Sequence, residues 1–138
     1  MRWRSGAAAG GTIVVVALGG CGAASTRSPA AEQQQVRGTL QRFANASAAG
    51  DYASMCQSLL AGRLIAKIRS LGVPCELAVR TGLSSVKDPR LSVQSVRIDG
   101  DRASALVRST AQGQRPSTDI VQLVREGGRW RVASLASG

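Results

Sequence analysis

The chain has 138 residues, with 18 Lys and Arg against 8 Asp and Glu, a net charge of +10 and no histidine. That length holds one small domain, and the missing imidazole excludes His-based proton transfer and His-ligated metal. Aromatic residues make up 3% of the chain, too few for the stacking platforms of a nucleic-acid groove, so no nucleic-acid partner is expected.

Met1-Arg2-Trp3-Arg4 is a short basic start, and Ala7 to Leu18 is an uncharged, mainly apolar run. Leu18-Gly19-Gly20-Cys21 closes that run with small residues directly before a thiol. Such an order is the layout of a secretory signal peptide. A retained membrane helix is the first alternative, but a bilayer span needs roughly 20 apolar residues, and Gly10-Gly11 interrupt a run that is already short. Plain secretion, with cleavage after Ala23 or Ala24, is the second. Leu18 to Cys21 resembles the bacterial lipobox, with Leu18 and Gly20 in the expected places and Gly19 a less usual middle residue. The resemblance implies removal of residues 1–20, acylation of Cys21, and a chain anchored through its N-terminal lipid on the extracytoplasmic side of the cell membrane. Two or more acyl chains hold such an anchor firmly.

Residues 21–30, rich in small residues with Ser, Thr and Pro, read as a flexible tether. A first helix is expected from Ala31 to Ala48, with Val36, Leu40, Phe43, Ala44 and Ser47 at helical spacing. Gly50 ends it, and Asp51 suits the N-cap of the next helix. Tyr52, Met55, Cys56, Leu59 and Leu60 repeat at three and four, which turns Cys56 inward, and Gly62 breaks the pattern. Leu64, Ile65, Ile68 and Leu71 form a third apolar stripe, which Gly72 stops. Pro74 permits a new start at Cys75, where Glu76 favours the helix dipole and Leu77, Ala78 and Val79 carry a short last helix. With Cys21 acylated, Cys56 and Cys75 remain. An exported chain keeps such a pair as a disulfide, which closes a loop of about 20 residues for roughly 3 kcal/mol.

After Lys87-Asp88-Pro89 the apolar period changes to two. Leu91 and Val93 share one parity, and Val96 and Ile98 take the other, which predicts a bulge near Gln94 and Ser95. Asp99-Gly100-Asp101 is a hairpin turn, with Ala103, Ala105 and Val107 alternating after it. Gln112 to Ser117 is a polar loop, and Ile120 to Val124 is a continuous apolar strand. Gly127-Gly128 turns the chain into a last strand with Trp130 and Val132 on one face. The expected fold is α+β: N-terminal helices packed on a curved four-stranded antiparallel sheet, preceded by a signal peptide.

This order, the Phe43…Gly50-Asp51-Tyr52 junction, the Asp99-Gly100-Asp101 hairpin and the terminal Gly128-Arg129-Trp130-Arg131-Val132 resemble the nuclear transport factor 2-like superfamily over about residues 31–136, within a domain expected at 31–138. The resemblance implies a cone, a curved sheet wrapped around helices, often with an apolar cavity. Enzymes of that superfamily, of isomerase or dehydratase type, place Asp with His or Tyr in the cone. Here the absence of His and of any paired carboxylates argues against catalysis, and no cofactor or metal is expected. Small side chains at Ala103 and Ala105 suggest an unfilled interior, with Tyr52, Trp130 and Val132 as further candidate lining. The expected role is a non-catalytic module that binds an apolar small molecule or an envelope protein, with an enzyme or a homodimerising structural domain as alternatives. The remaining arginines are scattered, as suits a solvated basic surface or attraction to anionic headgroups and wall polymers.

Overall fold

The computed structural model describes residues 27–136; the expected signal peptide, Cys21 and most of the expected tether lie outside them. Helix α1 (Pro29–Ala49) is followed by α2 (Tyr52–Ser54), a single turn that runs on into a π-helical turn at Met55–Leu59, and then by α3 (Gly62–Ser70) and α4 (Cys75–Gly82). Strands β1 (Arg90–Asp99), β2 (Arg102–Thr110), β3 (Ser117–Glu126) and β4 (Arg129–Ala136) form one antiparallel meander in the order β1-β2-β3-β4. The molecule is therefore the expected α+β arrangement of helices packed on a curved sheet.

Helix α1 begins at Pro29, inside the segment expected as tether. Proline suits a first helical position because its fixed φ is already helical and its missing N–H would have had no partner there. Gly50 ends the helix in the left-handed region at φ +66, and the Asp51 carboxylate caps α2 by accepting from the Ser54 backbone N–H at 3.0 Å. In the π-helical turn the Leu60 N–H reaches back to the Met55 carbonyl at 2.9 Å. This wider turn buries Met55 and Leu59 and leaves Cys56 only half-buried, at the flank and not inside. Gly62 starts α3 instead of breaking a helix, because the Glu126 carboxylate, arriving from the end of β3, accepts its N–H with both oxygens at 3.2 and 3.1 Å. Leu71, expected in the third apolar stripe, lies outside at 73% exposed, and Leu77 of the last helix is 51% exposed. Leu71 falls one residue past the end of α3, and on α4 the inward positions are Cys75, Ala78 and Val79, which turns Leu77 away. Cys56 and Cys75 are joined, with Cα atoms 6.1 Å apart.

The bulge in β1 is present: Val93 faces Val107, and the next partner pair is Ser95 and Leu106. The Arg37 guanidinium donates to the Val93 carbonyl there at 2.7 Å, tying α1 to the irregular strand. A second bulge, with no signature in the apolar pattern, falls at Ala133, since Leu123 pairs with Val132 and Gln122 with Ser134. Bulges sharpen local twist and bend, and two of them in four strands let the sheet curl around α1. The free edge of β4 is covered by Leu60 and Ala61, whose N–H donates to the Val132 carbonyl at 2.8 Å.

The core joins Val36, Leu40 and Phe43 of α1 with Met55, Leu59 and Leu60, and with the inward side chains Ala103, Ala105, Val107, Val121, Leu123, Trp130 and Val132. One charged group is buried beside it. Glu32, in the first turn of α1, is paired with Arg125 of β3, and the Arg125 guanidinium lies 4.6 Å from the centre of the Trp130 ring. Arg125 also has Asp101 at 3.9 Å. The start of α1 is thus fixed to the end of β3, beside the β1–β2 turn, by an ion pair and a cation–π contact.

Replacing both Cys56 and Cys75 with Ser should lower the unfolding free energy by about 3 kcal/mol, read from urea melts; coincident melts would refute the stabilising role. Glu32→Ala leaves a mostly buried guanidinium without its main counter-charge and should cost about 3 kcal/mol. Adding Arg125→Met should restore part of that loss, and a double variant weaker than Glu32→Ala would contradict the assignment. The Ser54 hydroxyl and backbone N–H hold the Asp51 carboxyl below its usual range. A lowered folded-state value means that the contribution is present at neutral pH and disappears as pH falls through 3.8 and below. Circular dichroism should show helix loss on acidification in that window, and Asp51→Asn should diminish the step.

Candidate functional site

The concave side of the sheet is filled at one end and open at the other. The C-terminal half of α1 supplies Phe43, Ala44 and Ser47 to a cavity of about 270 Å³. Leu83 and Val86, from the connection after α4, and Pro89 and Leu91, at the start of β1, form one wall. Val107 and Val121 make the floor, and the polar margin carries Arg90, Gln114, Arg115, Ser117 and Asp119.

The sequence builds this mouth by ending its elements together. Gly50 stops α1, and β1 and β2 run out at the pair Arg90 and Thr110. The loop from Ala111 to Pro116 is then tied back to the α4–β1 connection: the Gln112 N–H donates to the Lys87 carbonyl at 2.8 Å, and the Gln114 side-chain amide donates to the Ser85 carbonyl at 2.9 Å. Asp88, in that connection, sits at φ +48, a region that Asp tolerates better than most non-glycine residues. Its conformation turns Pro89 and Arg90 toward the opening of the sheet.

The five residues expected to line a cavity stand elsewhere. Ala103, Ala105 and Val132 belong to the packed interior together with Leu40, Met55 and Leu123. Trp130 is 3% exposed and borders a polar groove on the outer side of α1. Its indole N–H has no acceptor among the described residues. Tyr52 is half-buried, with the Arg80 guanidinium 5.7 Å from its ring centre. The structure brings Ala103, Ala105, Trp130 and Val132 together as core, and none of the five borders the cavity. The cavity begins further along the same strands, at Val107, which follows Ala105 on β2, and at Val121, the β3 partner of Ala105. The missed residues had a faint signal: α1 narrows from Leu40 and Phe43 to Ala44 and Ser47 as it approaches the mouth. The contribution of the loop at 111–117 had none, since its position depends on hydrogen bonds to a distant connection.

Chemically the wall is apolar at depth and hydrogen-bonding at the margin. Asp119 is the one carboxylate among the lining residues, and it accepts from the Ser117 hydroxyl at 2.7 Å. Neither Arg90 nor Arg115 is ion-paired among the described residues. Such a surface can desolvate an apolar body and hold a polar end. No group of three or more His, Cys, Asp or Glu gathers among the described residues in a way that could hold a metal ion.

No protein-family model matches the sequence, and no curated protein matches it. Solved structures do. An NTF2-like protein of unknown function from Shewanella baltica OS155 superposes with a TM-score of 0.58 at 15% identity, covering 78% of this chain and 93% of that one. An NTF2-like protein of unknown function from Silicibacter pomeroyi DSS-3 superposes with a TM-score of 0.54 at 16% identity, covering 74% and 90%. At such identities the likeness concerns the fold alone, and the fold of this chain is NTF2-like.

Proposed function

We propose that the protein is an extracytoplasmic lipoprotein, anchored through Cys21, whose NTF2-like domain binds a small apolar molecule without transforming it. The cavity at the mouth of the cone carries this reading. A volume of about 270 Å³ lies near the lower end of the range of small-molecule sites. Phe43, Leu83, Leu91, Val107 and Val121 supply the apolar contact that such a ligand needs, and the margin supplies donors for one polar group. A lone carboxylate at Asp119 offers no second acid–base group to complete a proton relay, which favours binding over turnover. A concave, partly apolar cavity of this size also favours a small molecule over an envelope protein as the ligand. The anchoring part of the reading is supported by the layout of residues 1–21.

The test combines two measurements. Native mass spectrometry of the protein taken from its own membranes should give a chain starting at an acylated Cys21, a two-proton gain on reduction and an additional small-molecule mass. An unmodified chain retaining residues 1–20 would overturn the anchor and leave the cavity untouched. In a thermal-shift screen of small apolar compounds, a true ligand at a hundredfold excess over its Kd stabilises by about 2.7 kcal/mol, which raises the midpoint by about 10 °C for a domain of this size. Ser109→Trp, which narrows the cavity from a half-exposed position, should abolish that shift. A screen without any stabilising compound, joined to a native mass without adduct, would overturn the ligand.

A further inference from the structure

The α3–α4 hairpin carries an apolar tip that the fold leaves unused. Leu71, expected in an apolar stripe from its spacing, and Leu77 are 73% and 51% exposed, and Pro74 between them is exposed too. Among the described residues, a Cβ added at Gly72 in the turn would meet no atom within 4 Å. The turn is nevertheless well built. The Leu71 and Gly72 N–H groups donate to the Ile68 and Arg69 carbonyls at 3.1 and 2.9 Å, and the Cys56–Cys75 bridge fixes its far side to the body of the domain. These leucines are held outward by structure that the chain maintains.

Their surroundings are mainly basic. Arg63, Lys67 and Arg69 are exposed on α3, while Leu64, Ile65 and Ile68 on the same helix face the core. None of the three cations is ion-paired among the described residues. Glu76, in the first turn of α4, is the one acid of the hairpin, and Arg80 is occupied by the Tyr52 ring.

We propose that this tip docks on a bilayer surface rich in anionic phospholipid. Two leucines and a proline on a convex turn are far too small for a stable protein interface, which needs about 800 Å² from each partner. They match the shallow insertion of apolar side chains at the boundary between headgroups and acyl chains, with adjacent Lys and Arg attracted by the anionic surface. A second copy would bring Arg63, Lys67 and Arg69 against their own equivalents. The docking requires no lipid on Cys21 and is independent of the mouth cavity.

The test is hydrogen exchange read by mass spectrometry on the full chain. It is run alone, with vesicles of phosphatidylcholine, and with vesicles of equal phosphatidylglycerol and phosphatidylcholine. Exchange across residues 67–78 should slow severalfold with the anionic vesicles only. Leu71→Ser combined with Leu77→Ser should remove that protection while the thermal midpoint stays within about 1 °C of wild type, since both side chains are exposed. Lys67→Gln with Arg69→Gln should weaken partitioning about tenfold or more. Unchanged exchange at 67–78 in the presence of anionic vesicles, or equal protection by phosphatidylcholine, would overturn the proposal. Protection that appears without vesicles and grows with protein concentration would replace the lipid surface with a second copy.

Discussion

Everything in this domain depends on one constraint: a four-stranded sheet must bend far enough to wrap a single long helix. The apolar stripe of α1 is narrow, with Val36, Leu40, Phe43 and Ala44 as its core positions. A flat sheet would touch that stripe along one strand and leave the rest of its inner face wet. The bulges at Gln94 and Ala133 resolve this by bending two strands. Small side chains at Ala103 and Ala105 then leave room for Leu40 and Met55 where the curvature is tightest. Filling the narrow end in this way is what leaves space at the wide end, where the helix has already stopped and Val107 and Val121 face no comparable partner.

The high positive charge acquires a partly structural meaning in this setting. Arg37 serves the Val93 carbonyl at the bulge, Arg125 serves Glu32, and Arg131 donates to the Gln57 carbonyl at 3.1 Å. In each case a long side chain reaches from one layer to another and satisfies an acceptor that regular pairing does not serve. A planar guanidinium with five donors suits such bridging better than an ammonium group. Counting arginines from the sequence therefore overstates how much charge is free to attract an external partner. The cations of α3, which bridge nothing among the described residues, are the informative ones.

Much of the architecture was legible because it rests on local rules. The change of apolar period after Pro89, the parity slip between Val93 and Val96, the Asp99-Gly100-Asp101 turn and the Asp51 cap each act within a few residues, and each stands in the structure. The Ala133 bulge leaves no parity slip to read, because the inward pair Trp130 and Val132 precedes it. The π-helical turn at Met55–Leu59 preserves an apolar spacing that an α-helix would also give. Leu71 has the right period for α3 but falls past its end, because helix length is decided by capping from Glu126 and by Gly72, not by the stripe. The cavity was misplaced for a related reason: small strand residues indicate where a neighbour comes close, and only the helices decide whether that neighbour arrives.

The length of α1 has a consequence for traffic. Pro29 lies beside the β1–β2 hairpin, in a groove it shares with Ile98 and Gly100, whereas Ser47 borders the cavity. Eighteen helical steps separate them, about 27 Å. Helix α4 repeats the polarity, running from the disulfide and the exposed tip at Cys75 toward Leu83 on the cavity wall. The point where the chain enters the domain and the basic tip thus lie at the opposite ends of these helices from the mouth. Under the proposed attachment through either of them, the mouth opens toward the surrounding water and not toward the lipid beneath.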